Sequence, residues 1–95
     1  MAAYVIADIE IKDAAAYEAY KRGVSATLEK YGGRFLVRAG EVKTVEGDWQ
    51  PSRIVVLEFP DMATLEAWYG SPEYKPLLAI RLAATTGRLI AVQGA

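Results

Sequence analysis

Residues 31–40 separate two different spacings of apolar side chains. Upstream, apolar residues recur at steps of three and four, which predicts one buried stripe along a helix. The stripe consists of Tyr17, Tyr20, Val24, Leu28 and Tyr31. Gly32 and Gly33 follow, and glycine readily takes the left-handed conformation that ends a helix. Downstream, apolar residues alternate with other residues over Arg34–Arg38, so we predict a strand directly after the helix.

Similar alternation predicts three more strands. Residues 4–11 alternate with one wholly apolar face, and residues 53–59 and 88–93 alternate in the same way. The third predicted strand, 53–59, is almost continuously hydrophobic, which favours a central position in a sheet. Ala39-Gly40 predicts a bulge or bend, after which residues 41–46 continue as an extended arm.

The helix boundaries are marked by capping residues and glycines. Asp13 is the predicted N-cap of the first helix, because its side chain can accept bonds from free N–H groups of the first turn. Asp61 opens a second helical region, Gly70 interrupts it and Ser71 restarts it. We expect Gly87 to end that helix.

The resulting order is β-α-β-β-α-β in a single domain that spans residues 1–95. Two crossover connections and one hairpin predict an α+β, ferredoxin-like fold, in which both helical regions cover one face of a four-stranded antiparallel sheet. The other face carries apolar residues beside charged ones and is bare in a monomer. Because a bare apolar face marks an interaction surface, we predict a homodimer that forms a dimeric α/β barrel with an interface above about 1,000 Å².

Composition excludes several kinds of chemistry. The chain has no cysteine and no histidine, so disulfides, thiolate metal sites and imidazole-based catalysis are excluded, and we expect neither metal nor cofactor. The net charge is −1 and no basic patch is present, which argues against nucleic-acid binding. The N-terminus has no basic segment of the kind that begins a signal peptide, and no window is apolar enough for a membrane span, so we expect a cytoplasmic protein.

Three charged residues are the predicted catalytic group. Strict alternation places Asp8, Arg38 and Glu58 on the same mixed face of neighbouring strands. A carboxylate there could act as a general base, and the arginine could stabilise a substrate anion or enolate. The alternative, which we favour, is an ion-pair network at the dimer interface, because structural ion pairs perturb pKa values as readily as catalytic ones do.

Other side chains are candidates for ligand binding. Arg34 and Arg53 could each bind an acidic group in a forked geometry, although a contact with solvent or a carboxylate is the more usual role. Trp49, Tyr69 and Tyr74 could wall a pocket for a flat or apolar ligand. The alternative for Trp49 is packing of the arm against a partner subunit. We expect Trp68 to be a core residue.

Four segments in order resemble the domain-of-unknown-function family thirteen-thirty. They are residues 31–38, 46–53, 55–60 and 68–74, which read YGGRFLVR, EGDWQPSR, VVLEFP and WYGSPEY. The resemblance implies membership of the dimeric α/β-barrel superfamily, whose sites lie in the cavity between sheet and helices. Ala39 stands where that family often has a glycine, so we expect a milder bend there. Relatives include cofactor-independent monooxygenases, muconolactone isomerases and haem enzymes, and the absence of histidine disfavours the haem branch.

Three functions remain open. The first is a cofactor-independent isomerase, lyase or monooxygenase that acts on a small, partly apolar acid in the inter-sheet cavity. The second is a non-catalytic small-molecule carrier that uses the same cavity. The third is a structural dimerisation module whose charged residues are fully paired.

Overall fold

The protein, described over all residues 1–95 by a computed structural model, contains four strands and three helices. The elements are β1 (Ala3–Ile11), α1 (Ala14–Lys30), β2 (Arg34–Arg38), β3 (Ile54–Phe59), α2 (Met62–Tyr69), α3 (Lys75–Ala84) and β4 (Thr85–Gln93). The strands form one antiparallel sheet in the order β2-β3-β1-β4. This arrangement confirms the predicted ferredoxin-like fold. None of the helices has the length and apolar character needed to cross a membrane.

The alternation in β1 divides the sheet into two faces. Ala3, Val5, Ala7 and Ile9 are buried on the face that packs against the helices, which we call the inner face. The residues between them lie on the opposite, outer face and are only half-buried. Because β1 pairs with both β3 and β4, its register decides which side chains of those strands join each face.

Helix α1 begins and ends as its sequence predicts. The Asp13 carboxylate accepts a 3.0 Å bond from the Ala16 N–H, which satisfies a free donor of the first turn. Gly32 adopts a φ of 70°, and the Gly33 N–H donates a 2.8 Å bond to the Leu28 carbonyl. This geometry closes the helix and sends the chain directly into β2.

Trp68 lies at the centre of the core, with 1% of its surface exposed, as predicted. Its ring centroid is 5.2 Å from that of Phe59 and 4.1 Å from that of Tyr74. Its indole N–H donates a 3.0 Å bond to the Thr27 hydroxyl, which in turn donates to the Val24 carbonyl. This chain of bonds satisfies the one polar group of a buried tryptophan and fixes α2 against α1.

Gly87 does not end a helix, so that prediction was wrong. Helix α3 ends at Ala84, and β4 begins at Thr85, two residues before the glycine. Gly87 lies inside β4 opposite Ile9, where a Cβ atom would come within 2.3 Å of the Asp8 carbonyl oxygen. Its role is to permit a close approach of two backbones.

The predicted bend is present in the connection from β2 to β3, but it is not as mild as expected. Ala39 has a φ of 58°, which is the left-handed region that L-residues other than glycine seldom adopt. The predicted bulge lies earlier, inside β2, where the pairing with β3 shifts between Phe35 and Val37. Residues 40–53 then cross to β3 without forming a strand.

We predict that Gly33→Ala destabilises the protein by about 1–3 kcal/mol, because overpacking a dense core has that typical cost. The added Cβ atom would lie 2.6 Å from a ring carbon of Phe59 and 3.1 Å from a methyl of Leu28. Urea unfolding at fixed protein concentration measures the change. The control is Gly40→Ala, where the new atom meets nothing within 4 Å. Equal midpoints for the two variants would contradict the packing described here.

We predict that Ala39→Gly stabilises the protein by roughly 0.5–1 kcal/mol. Relief of the left-handed strain is worth about 1–2 kcal/mol, and the greater freedom of glycine in the unfolded chain offsets part of it. Ala39→Val should have the opposite effect, because a β-branched side chain tolerates this conformation least. Thermal unfolding of the two variants checks the order. A lower melting temperature for the glycine variant would show that residue 39 is not left-handed in solution.

Candidate functional site

The bulge in β2 changes the face on which Arg38 lies. Phe35 pairs with Leu57 on the inner face, but Val37 pairs with Val56 and Arg38 with Val55. Since one extra residue is accommodated between the first two pairs, Arg38 joins Phe35 on the inner face instead of lying opposite to it. The guanidinium carbon of Arg38 is 4.3 Å from the centroid of the Phe35 ring. The predicted placement of Arg38 on the mixed face was therefore wrong.

Arg38 instead lines a pocket between the inner face and the helices. The cavity measures about 40 Å³, and twelve of its sixteen lining residues are hydrophobic. The other four are Lys21, Arg38, Arg53 and Arg81. No lining side chain is acidic, so the pocket combines an apolar wall with positive charge only. The cavity exceeds the roughly 10–15 Å³ that one water requires, which makes room for a small polar group.

Arg53 lies beside Arg38 on the inner face. It directly precedes β3, and alternation with Val55 and Leu57 points it toward α1, where its guanidinium carbon is 5.5 Å from the Tyr17 ring centroid. Its Nε atom is buried and has no hydrogen-bond partner. Because buried donors are nearly always satisfied, such an orphan calls for an acceptor that the chain itself does not provide.

A buried polar cluster closes the other part of the pocket. The hydroxyls of Tyr20 and Tyr74 are 2.8 Å apart, and the Arg81 Nε–H donates a long 3.4 Å bond to the Tyr74 hydroxyl. Burial and the neighbouring Tyr74 raise the pKa of Tyr20, so its hydroxyl stays protonated. Burial by itself lowers the pKa of Arg81, but the tyrosine hydroxyls outweigh it and raise that pKa.

Asp8 lies on the outer face and not in this pocket. Its carboxylate accepts bonds of 3.0 Å from the Ser52 N–H, 3.4 Å from the Arg53 N–H and 3.2 Å from the Trp49 indole N–H. Desolvation opposes ionisation, but these bonds outweigh it and lower the pKa of Asp8. Asp8 therefore fixes the arm between β2 and β3 to the sheet. Trp49 belongs to that arm and contacts Asp8 through its indole N–H.

Glu58 also lies on the outer face, at a distance from Asp8. It pairs across the strands with Arg34, whose Nε and terminal nitrogen are 2.7 and 2.6 Å from the same carboxylate oxygen. Glu58 is opposite Tyr4 in β1, four residues from Asp8, which corresponds to about 13 Å along a strand. Asp8, Arg38 and Glu58 therefore lie apart in the structure and do not form a common site.

The three predicted ligand-binding aromatics also separate. Tyr74 lines the inner pocket and has no exposed surface. Trp49 is 58% exposed and lines an open outer-face cavity of about 280 Å³ together with Asp8 and Arg88. Tyr69 lies in a shallow groove beside Leu89. We take the smaller inner pocket as the candidate site, because it is lined by Arg81, a buried charged side chain that makes no salt bridge.

One residue of this pocket could have been found from the sequence. Arg81 follows Tyr74, Leu77 and Leu78 at helical spacing, so it interrupts an apolar stripe. A charged residue in such a stripe indicates either a buried ion pair or a binding site. For Arg38 no such signal exists, since neither glycine nor proline marks the bulge. No cluster of three or more potential metal ligands is present.

Three solved structures show the same fold. A protein of unknown function from Rhodopseudomonas palustris is 20% identical, with a TM-score of 0.81 over 99% of this chain and 82% of that one. A dimeric ferredoxin-like protein of unknown function from a Jannaschia species is 15% identical, with a TM-score of 0.67 over 99% and 100%. SnoaB, a cofactor-independent oxygenase from Streptomyces nogalater, is 13% identical, with a TM-score of 0.63 over 99% and 92%.

These identities are low enough that the similarity shows the fold alone. No curated protein matches the sequence. The profile of the domain of unknown function DUF1330 does match, over residues 2–95. Because that match spans nearly the whole chain and agrees with the fold, the protein belongs to the DUF1330 family.

Proposed function

We propose that the protein is a cofactor-independent enzyme that acts on a small, partly apolar organic acid bound in the pocket between the sheet and the helices. One observation carries this proposal: the pocket wall combines twelve hydrophobic residues with four cationic ones and no carboxylate. An apolar body with a negatively charged group is the ligand that complements such a wall. The inner pocket replaces the inter-sheet cavity as the location of the reaction.

The proposed chemistry is the stabilisation of a substrate anion. A guanidinium close to an enol or an acidic carbon favours its ionised form, and the effect is stronger in an apolar pocket than in water. Arg38 and Arg53 would hold the developing negative charge, while the apolar wall limits the access of water. Because the pocket holds no carboxylate base, the proton would pass to solvent water. Isomerisation and elimination of an enolisable acid can begin from the resulting anion, and oxygenation can follow with dioxygen as the co-substrate.

This proposal gives Arg38 a catalytic role and gives Asp8 and Glu58 structural roles. The contacts of Asp8 with the arm and of Glu58 with Arg34 account for both carboxylates on the outer face. Arg38, by contrast, makes no ion pair, and its guanidinium lies over the Phe35 ring. The fold shared with SnoaB, a cofactor-independent oxygenase, supports the enzyme reading by analogy.

A second function, that of a small-molecule carrier, is favoured by the absence of a general base in the pocket. The lining contains no carboxylate, and Tyr20 remains a neutral hydroxyl. A pocket that binds an anion without moving a proton would retain its ligand unchanged. The two functions share the binding site and differ in whether a product forms.

We predict that Arg38→Gln slows turnover by about 100-fold, as loss of one charge-stabilising donor typically does. The measurement is mass spectrometry of a bacterial metabolite extract before and after incubation with the protein. With the wild type we expect one organic acid to decrease while a product of related mass increases. The exposed Arg22, on α1 but not in the pocket, provides the control Arg22→Gln.

Each result of that experiment decides between the functions. An acid that is retained on the protein without a product would establish the carrier. Equal turnover in wild type and Arg38→Gln would remove Arg38 from the mechanism. Turnover of a neutral metabolite would contradict the proposal that the pocket selects an acid.

We also propose that the outer face forms a homodimer interface. Leu36, Ile90 and Val92 are 45%, 57% and 41% exposed on this face, and they adjoin the half-buried Ile6 and Val56. A contiguous apolar surface on an otherwise polar protein favours association. A structural relative is described as dimeric, which supports the same arrangement here.

We predict that Ile90→Glu converts the dimer to a monomer, because the interface would have to bury an unpaired carboxylate on each side. Sedimentation velocity over a range of concentrations should show at least about a 100-fold weaker association, as a 3 kcal/mol penalty implies. The control is Leu82→Glu, since Leu82 is equally apolar and 62% exposed but lies on α3. A wild-type monomer, or dimers in both variants, would contradict the proposed interface.

A further inference from the structure

Arg81 is the only charged residue that the fold buries, with 7% of its surface exposed. Its side chain makes no salt bridge, and the only hydrogen bond of that side chain is the 3.4 Å contact from Nε to the Tyr74 hydroxyl. Its terminal nitrogens donate to no group in the chain, and Arg81 is one of the residues that line the pocket. Because a buried charge is costly unless it is paired, this arginine lacks the acceptor that would balance it.

The two tyrosine hydroxyls beside Arg81 add a further free donor. Tyr20 and Tyr74 share one O···O hydrogen bond, in which either oxygen can be the donor. One hydroxyl hydrogen is used in that bond, and the other has no acceptor in the chain in either case. Since the Tyr74 oxygen already accepts from Arg81, the cluster has an excess of donors and no free anionic acceptor.

This cluster is distinct from the pair Arg38 and Arg53 at the other part of the pocket. A row of tyrosine rings connects the two: Tyr74 to Tyr20 is 6.1 Å and Tyr20 to Tyr17 is 5.4 Å between centroids. Arg53 then lies 5.5 Å from the Tyr17 ring. The pocket therefore contains two groups of donors that have no partner within the chain, with aromatic and aliphatic surface between them.

We propose that the ligand carries two electronegative ends, one bound by Arg38 and Arg53 and the other by Arg81 with the Tyr20–Tyr74 hydroxyl pair. The first end is the carboxylate of the proposed substrate, and the second is another carboxylate. The inference rests on the proposed function, because it assumes that the inner pocket binds an organic acid. It makes Arg81 a specificity-determining residue for the far end of that acid.

The test compares dicarboxylates with monocarboxylates of the same carbon number. The probes are the α,ω-dicarboxylates from glutarate to suberate and the monocarboxylates from pentanoate to octanoate, titrated by isothermal calorimetry. We expect the best dicarboxylate to bind at least about tenfold more tightly than its matched monocarboxylate, the gain expected of one additional charge-assisted contact. With a single anion site, the second carboxylate would face an apolar wall and the dicarboxylate would bind more weakly.

Arg81→Gln should abolish the advantage of the dicarboxylate over its matched monocarboxylate. Arg81→Lys keeps the charge and should restore part of the advantage, and the exposed Arg88→Gln on β4 should behave as wild type. The comparison of dicarboxylates with monocarboxylates uses the wild-type protein alone. It therefore tests the second subsite even if a substitution of the buried Arg81 prevents folding.

The outcomes separate this inference from the proposed function. Monocarboxylate binding without any advantage for dicarboxylates would overturn the second subsite and leave the organic-acid pocket intact. An advantage that persists in a folded Arg81→Gln protein would overturn the assignment to Arg81. No binding of either series in the wild type would overturn both proposals.

Discussion

One extra residue in β2 decides what the inner pocket can bind. Without the shift between Phe35 and Val37, strict alternation would place Arg38 on the outer face, beside Arg34 and Glu58. With it, the guanidinium lies on the inner face next to Arg53, and the carboxylates of β1 and β3 remain on the other side of the sheet. The bulge thus adds a guanidinium to the apolar inner pocket, whose lining contains no carboxylate.

The two faces of the sheet therefore have different chemistry. On the outer face each acidic group is satisfied within the chain, Asp8 by the arm and Glu58 by Arg34. On the inner face the arginines contact aromatic rings and hydroxyls, which are weak substitutes for a carboxylate. The inner face is therefore the one whose electrostatics a ligand can complete, and the outer face is suited to association with a second copy.

The sequence predicted the elements that depend on local patterns. The alternation in β1, the Asp13 cap and the burial of Trp68 follow from short-range rules and were found as predicted. The prediction for Gly87 was wrong because a glycine can either end a helix or allow a neighbouring strand to approach closely. Only the tertiary structure, in which the Asp8 backbone lies against Gly87, distinguishes the two roles. Arg38 was misplaced because a bulge without glycine leaves no mark in the sequence. The position of Arg38 depends on the pairing register of β2 and β3, which local sequence patterns do not reveal.

The central claim is that the pocket between sheet and helices, and not the outer face, binds an organic anion. The most direct measurement is a crystal soaked with 4-iodobenzoate, in which anomalous scattering locates the iodine without prior assumptions about the site. We expect the iodine between the inner face and α1, with the carboxylate directed at the arginines. Iodine bound only in the outer cavity beside Trp49 would contradict the claim and place the ligand site between the sheets.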